Sequence, residues 1–148
     1  MVDTEGLILQ ALVHAADVRD GTGGQWVLEA LDPVQTRFPR LHHLWVDAAY
    51  RGQFVDWVKD TLGWSVEVVK HWWTGVSTVW VAPGQEPPEK PTGFHVLPRR
   101  WVVERTFGWL GWWRRLSKDY EYLPATSEAM VYMAMSRVML ARLARPPA

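Results

Sequence analysis

The order of apolar runs along this 148-residue chain predicts an α/β fold, a sheet with helices on its faces. Three observations point there. Short apolar runs with β-branched residues occupy 7–13, 41–46 and 64–69, and segments of helical period at 25–31 and 53–62 separate them. The resulting order is strand, helix, strand, helix, strand. A length that fits one domain and a hydrophobic content of 48% supply enough material for a real core.

Residues 7–13 (LILQALV) follow the turn-like Asp3, Thr4, Glu5 and Gly6, so they read as the second strand of a hairpin of which only Met1 and Val2 precede the turn. The stretch 16–24 reads as a loop, with Gly21-Thr22-Gly23-Gly24 as a flexible turn that lacks the Lys and spacing of a phosphate-binding loop. Thr22 or Gly23 then opens a helix over 25–31 that carries Trp26, Leu28 and Leu31, and Pro33 and Pro39 mark the way out. Residues 41–46 form a buried strand that delivers Asp47, and 48–52 turn the chain into a helix over 53–62 with Phe54, Val55, Trp57, Val58 and Leu62 on its apolar face. Gly63 ends that helix, and 64–69 alternates as a strand. A further short strand is expected at 76–82, and the four prolines of PGQEPPEKP (83–91) preclude regular structure there. Helical periodicity returns over 99–115 and over 127–143, where Met130, Val131, Met133, Ala134, Val138, Met139 and Leu143 read as a core face.

Composition narrows the chemistry. Without an apolar run of about 18 residues or a basic-then-apolar leader, the sequence predicts no membrane span and no signal peptide, hence a cytoplasmic protein. The absence of cysteine removes disulfides and thiolate metal sites, leaving carboxylate, imidazole and main-chain oxygen as ligands. Hard cations such as Mg²⁺ or Mn²⁺ suit that set. The net charge of zero conceals a division: residues 1–96 hold 7 Lys+Arg against 12 Asp+Glu, and residues 97–148 hold 9 against 4. A basic half of this kind points to nucleic acid on one face, although ordinary surface patterning also produces it. Eleven tryptophans read chiefly as core, because most interleave with Val and Leu, with rings that stack on bases or sugars as the alternative.

Asp47 and Glu104 are the leading candidates for chemistry. A carboxylate at the end of a strand and another on a later basic, aromatic helix suit a two-metal phosphodiester site, which needs oxygen ligands from separate elements. Small residues Ala48 and Ala49 leave room beside Asp47, which could equally cap the following helix. Glu104 has Arg100 four residues before it and Gly108 four after, so it belongs either to the site, steered there by Trp101, Val103 and Phe107 packing on the sheet, or to a surface ion pair. Arg99, Arg100, Arg105, Arg114, Arg115 and Lys118, interleaved with Trp101, Trp109, Trp112 and Trp113, suit a DNA backbone, and a solvated helix face is the alternative. Asp3 reads as a turn residue. Adjacent His42 and His43 point to opposite faces of a strand, so they cannot chelate together.

The segment LPRRWVVERTFGWLGWWRRLSKDYEYLPATSEAMVYMAMSRVMLARL (97–143) resembles the C-terminal part of bacterial insertion-sequence transposases of the DDE class, in the group related to insertion sequences four and five. LWVDAAYRG (44–52) resembles the second-Asp region of that group, and VDTEGLILQALVHAADVRDG (2–21) the segment before it. The resemblance implies a ribonuclease H-like mixed sheet flanked by helices, with two Asp and one Glu holding two divalent ions, Mg²⁺ or Mn²⁺. By position Asp47 matches the second Asp, Glu104 the Glu, and Arg100 the Arg of a Tyr-Arg-Glu-Lys signature whose Tyr and Lys positions hold Leu97 and Gly111.

The family's first Asp lies on a strand before the hairpin, so the expectation is one partial catalytic domain over 1–148, lacking that strand, with a loop at 83–96 and helices over 99–145. DNA at insertion-sequence ends and target sites is the implied substrate. Asp47, Glu104 and Arg100 are the implied catalytic residues. An upstream transposase polypeptide or a homodimer is the implied partner. Alone, the chain is expected to be weak or inactive as an enzyme. A non-catalytic DNA-binding remnant, or a subunit that interferes with intact transposase, is the alternative.

Overall fold

A strand, a crossover helix and a second strand form the centre of this computed structural model, which describes residues 1–31, 38–69 and 99–144. β1 (His43–Val46) and β2 (Ser65–Val68) run parallel, with His43 opposite Ser65 and Val46 opposite Val68. Parallel neighbours cannot be joined by a tight turn, so the chain returns through a helix. This is α2 (Gln53–Trp57), which widens into a π-helical turn over Val58–Leu62. Gly63 closes it at φ 67°, a left-handed conformation that costs glycine no Cβ clash.

One face of the β-α-β unit meets α1 (Asp20–Glu29), and Leu28, Leu31, Leu44, Phe54, Val58 and Trp64 are buried between them. The glycine-rich stretch expected as a flexible turn is instead the beginning of α1. Its glycines serve close packing. A Cβ on Gly24 would come within 2.8 Å of the Tyr50 and Phe54 rings, and one on Gly23 would collide with the His14 imidazole.

The N-terminal hairpin is much shorter than the run 7–13 suggests. Val2 and Ile8 make a single antiparallel bridge, and Asp3 Oδ1 accepts the amides of Glu5 and Leu7, each at 2.8 Å. No strand extends over 7–13. The Ala11 amide donates to the Tyr132 hydroxyl at 3.0 Å and the Val13 amide to Glu128 Oε1 at 2.8 Å. Side chains of a later helix thus take donors that a neighbouring strand would have taken.

α3 (Arg100–Gly111) and α4 (Pro124–Leu143) are joined through a 3-10 turn at Arg114–Leu116. α4 begins earlier than its apolar period suggests, because Pro124 suits the first helical position. Its buried stripe runs through Ser127, Ala134 and Met135, so Met133, Met139 and Leu143, expected in the core, face solvent. The coarse expectation holds: helices and a small sheet mix in one chain, with four α-helices and two paired strands among the described residues. The expected strand at 76–82 and loop at 83–96 lie outside the described residues.

Candidate functional site

Alternation along β1 turns Leu44 into the core and His43, Trp45 and Asp47 to the opposite side. On that outer face Trp45 Nε1 donates to Glu67 Oε2 at 3.0 Å, His43 Nδ1 lies 2.6 Å from Ser65 Oγ, and the Arg99 guanidinium sits over the Trp45 ring at 4.9 Å. Arg99 is the residue before α3 and holds φ 66°, left-handed for a residue with a side chain. Such a backbone costs about 1–2 kcal/mol, part of which an exposed cation-π contact of about 0.5–1 kcal/mol offsets. The start of α3 is therefore fixed against the outer face of β1.

Asp47 follows β1 and is exposed. Its Oδ1 accepts the Ala49 amide at 2.8 Å and so caps the 3-10 turn Ala48–Tyr50. Burial, with the charges of Asp20 and Asp47 adding to it, pushes the Tyr50 hydroxyl above its ordinary pKa and keeps it protonated. Asp20, at the head of α1, is thus a second carboxylate acting on the same ring. In the sequence it stands within an apparent loop, and nothing marks it out.

Glu104 lies exposed in the second turn of α3. A Cβ on Gly108, four residues on, would meet nothing within 4 Å among the described residues. The expected packing of Trp101, Val103 and Phe107 onto the sheet does not occur, and all three are exposed. α3 packs instead on the hairpin turn, through Val102 and Thr106. Thr106 Oγ1 lies 2.7 Å from the Gly6 carbonyl and 3.1 Å from that of Val102, and Gly6, at φ 78°, brings its backbone to within reach because it has no Cβ.

The six basic candidates divide. Arg105 turns inward: it donates to the Glu5 carbonyl at 2.6 Å and lies between the Trp101 and Trp109 rings at 4.5 and 5.0 Å. Arg142 covers Trp109 at 4.6 Å and reaches Glu5 at 3.6 Å. The sequence signal for this ladder is the alternation of aromatic and basic residues at four-residue spacing over 101, 105 and 109. Arg115 is paired with Glu121, its Nε 2.9 Å from Oε1. Arg114 and Lys118 are exposed and have no partner among the described residues. Arg100 opens α3, and its side chain lies outside what the structure describes.

Among the described residues no three His, Asp or Glu come together to hold a metal ion. No helix among them is long and apolar enough to cross a membrane.

Residues 1–139, nearly the whole chain, match the transposase DDE domain family. The chain belongs to that family. Neither a curated protein nor a solved structure is matched by it. Membership assigns this transposase domain to DNA transposition and makes DNA its interaction partner and divalent metal the kind of ion its family employs. Of the residues proposed from sequence, Asp47 and Arg99 share the outer side of β1 or its immediate border. Arg105 and Arg115 are held by partners within the chain.

Proposed function

We propose that this transposase domain supplies two of the three carboxylates of a DDE site, Asp47 and Glu104, within a ribonuclease H-like catalytic domain of the group related to insertion sequences four and five. The observation that carries the reading is the Arg99 guanidinium over Trp45 at 4.9 Å. Asp47 lies two residues beyond Trp45 on the same side of β1, and Glu104 lies five residues beyond Arg99, about 7 Å along a helix that rises 1.5 Å per residue. The reading assigns both carboxylates to one site.

The donor set among the described residues is partial. Two carboxylates fit a share of a two-metal site and fall short of a complete one, since oxygen-ligand sites for Mg²⁺ or Mn²⁺ draw on more donors. Of the two carboxylates in the hairpin turn, Asp3 is committed to that turn and Glu5 lies 3.6 Å from Arg142. In this reading the third ligand comes from outside the described residues, with an upstream transposase product or a second subunit as the proposed source. When bound, the ions would activate the attacking hydroxyl and stabilise the leaving oxygen of an in-line displacement. The chain's own part is to present Asp47 from a capped turn, to present Glu104 from a helix pinned at its start, and to hold DNA phosphates with Arg99, Arg100, Arg114 and Lys118.

The test is nicking of insertion-end duplex by this chain in Mg²⁺ or Mn²⁺, with and without the polypeptide encoded upstream. Metal-dependent nicking is expected only with both, and it is expected to vanish in Asp47→Asn and Glu104→Gln while DNA binding persists. Asn caps about as well as Asp, so Asp47→Asn spares the turn. Metal-independent nicking, or nicking indifferent to both variants, would refute the assignment. The lack of a three-ligand cluster among the described residues favours a second reading, a non-catalytic DNA-binding subunit. Under that reading no nicking appears in any combination. Binding then survives Asp47→Asn, and the log-log salt slope falls by about 0.9 for each phosphate that Arg114→Ala or Lys118→Ala leaves without its cation.

A further inference from the structure

Most described tryptophans are not core residues: Trp64 is buried, while Trp26, Trp45, Trp101 and Trp112 are exposed. Among the described residues the most exposed large hydrophobic side chains are Tyr122, 97% accessible, and Trp112, 90% accessible, and both lie on the connection between α3 and α4. Tyr120, between them in sequence, is exposed as well. The connection is tied down despite this exposure. Arg115 pairs with Glu121 across it, Ser117 Oγ donates to the Arg114 carbonyl at 2.8 Å, and Ser127 Oγ of α4 donates to Asp119 Oδ1 at 3.0 Å. Two aromatic rings are thus held out into water on a braced turn, an expensive arrangement for side chains with nothing to cover them.

The charge of the turn selects the occupant. The Arg114 guanidinium and Lys118 ammonium stand exposed on it without partners among the described residues, Arg115 neutralises Glu121, Asp119 is bound by Ser127, and residues 97–148 as a whole carry 9 Lys+Arg against 4 Asp+Glu. A cationic surface disfavours a basic or purely apolar partner and favours phosphate. Flat rings beside phosphate-binding cations match a base whose π-face is open. In a paired duplex both faces of each base are already stacked, so the rings gain little from it.

We infer that the connection bearing Trp112 and Tyr122 is a stacking platform for unpaired bases of DNA, with Arg114 and Lys118 holding the flanking phosphates. The inference rests on the DNA-binding reading above and adds a substrate form to it: DNA with an unpaired stretch, as at a frayed or opened end. Glu104 belongs to the helix that runs into the platform, so a strand gripped there would be fixed relative to that carboxylate.

The test compares affinities of the whole chain, by fluorescence anisotropy, for a blunt duplex and for the same duplex with a short single-stranded tail. Tighter binding of the tailed duplex is expected. Trp112→Ala and Tyr122→Ala should each weaken tailed binding by about 5- to 150-fold, the range for loss of one base-ring stack, and leave blunt-duplex affinity and salt slope alone. Trp112→Phe should restore most of the preference. Arg114→Ala and Lys118→Ala should weaken both substrates. These side chains are exposed, so the fold should survive, and an unchanged circular dichroism spectrum checks that. Equal affinity for the two substrates, or equal losses on both in Trp112→Ala, overturns the platform while leaving the DNA-binding reading intact. A Trp112→Ala variant that abolishes self-association without touching DNA affinity also overturns it and assigns the rings to a second copy. Failure to bind either DNA overturns the DNA-binding reading and the platform with it.

Discussion

Replacing Thr106 by Val should loosen the helix that carries Glu104 by a measurable amount. Thr106 is buried, and its hydroxyl lies 2.7 Å from the Gly6 carbonyl and 3.1 Å from the Val102 carbonyl. Valine fills almost the same space and removes only the donor. The Val102 carbonyl remains in the helical ladder, whereas the Gly6 carbonyl loses a partner in a place that water reaches poorly. Leaving one buried acceptor unmet costs about 1–3 kcal/mol, a sizeable part of the 5–15 kcal/mol that typically holds a domain together. With a urea slope of about 2 kcal/mol/M for a chain of this size, the unfolding midpoint should fall by roughly 0.5–1.5 M with little change in slope. Urea titration followed by tryptophan fluorescence reads it. Thr106→Ser keeps the hydroxyl and should recover most of the loss. An unchanged midpoint in Thr106→Val would refute the idea that this hydrogen bond docks the hairpin turn on α3. An equal fall in Thr106→Ser would show that the methyl group, which valine keeps, contributes as much as the hydroxyl.

Gly24→Ala should destabilise the fold even though alanine is the better helix former by about 1 kcal/mol, because the new Cβ would lie 2.8 Å from the Tyr50 and Phe54 rings. A lowered melting temperature is expected, and a raised one would show that the rings give way freely. In the chain beginning at Met1, burial lowers the terminal amine from 8.0 to about 6. Below pH 6 folded and unfolded states are both protonated and the folded state bears a buried charge. Between 6 and 8 the unfolded state holds more protons, so stability rises with pH through that window and levels off above it, by about 2–3 kcal/mol in all. Urea midpoints at pH 5.5 and 8.5 measure the gain, and the same gain in an Nα-acetylated chain would exclude the amine as its source.

What the sequence revealed depended on whether a local pattern had one physical solution. Residues 41–69 did: a short apolar run, a helical period closed by Gly63 and an alternating run can satisfy their backbones side by side only through a crossover, and β1, α2 and β2 follow the expected bounds within two residues or so. Residues 7–13 did not. Their short apolar run after a turn suggests a strand, but a strand needs a neighbour, and Tyr132 and Glu128 from over a hundred residues away supply the partners instead. Gly21 to Gly24 mislead for a related reason, since glycine marks either a turn or a close approach, and only the positions of Tyr50, Phe54 and His14 decide between them. α3 misleads about its face. Its aromatic residues suggest packing on the sheet, whereas the buried pair Val102 and Thr106 meets the backbone of Gly6, and the rings are left to stack with Arg105 and Arg142 or to face water.

Asp47 shows why a structural role and a chemical one need not compete at the same residue. Its Oδ1 is used by the Ala49 amide, and that bond fixes the side chain's rotamer at the end of β1. A carboxylate offers about four acceptor directions over its two oxygens, so one capping bond leaves most of its ligand capacity. It also lowers the cost of using that capacity, because a side chain already held in place loses little further freedom on meeting an ion. Asp3 differs in kind. It takes two amides of its own turn on a single oxygen, 2.8 Å from each, and its bonds close the hairpin on which α3 rests. The capped Asp47, carried at the end of β1 and bordered by small residues, thus keeps the free acceptor capacity that the proposed metal role requires. Asp3 is the foundation under the helix that carries Glu104.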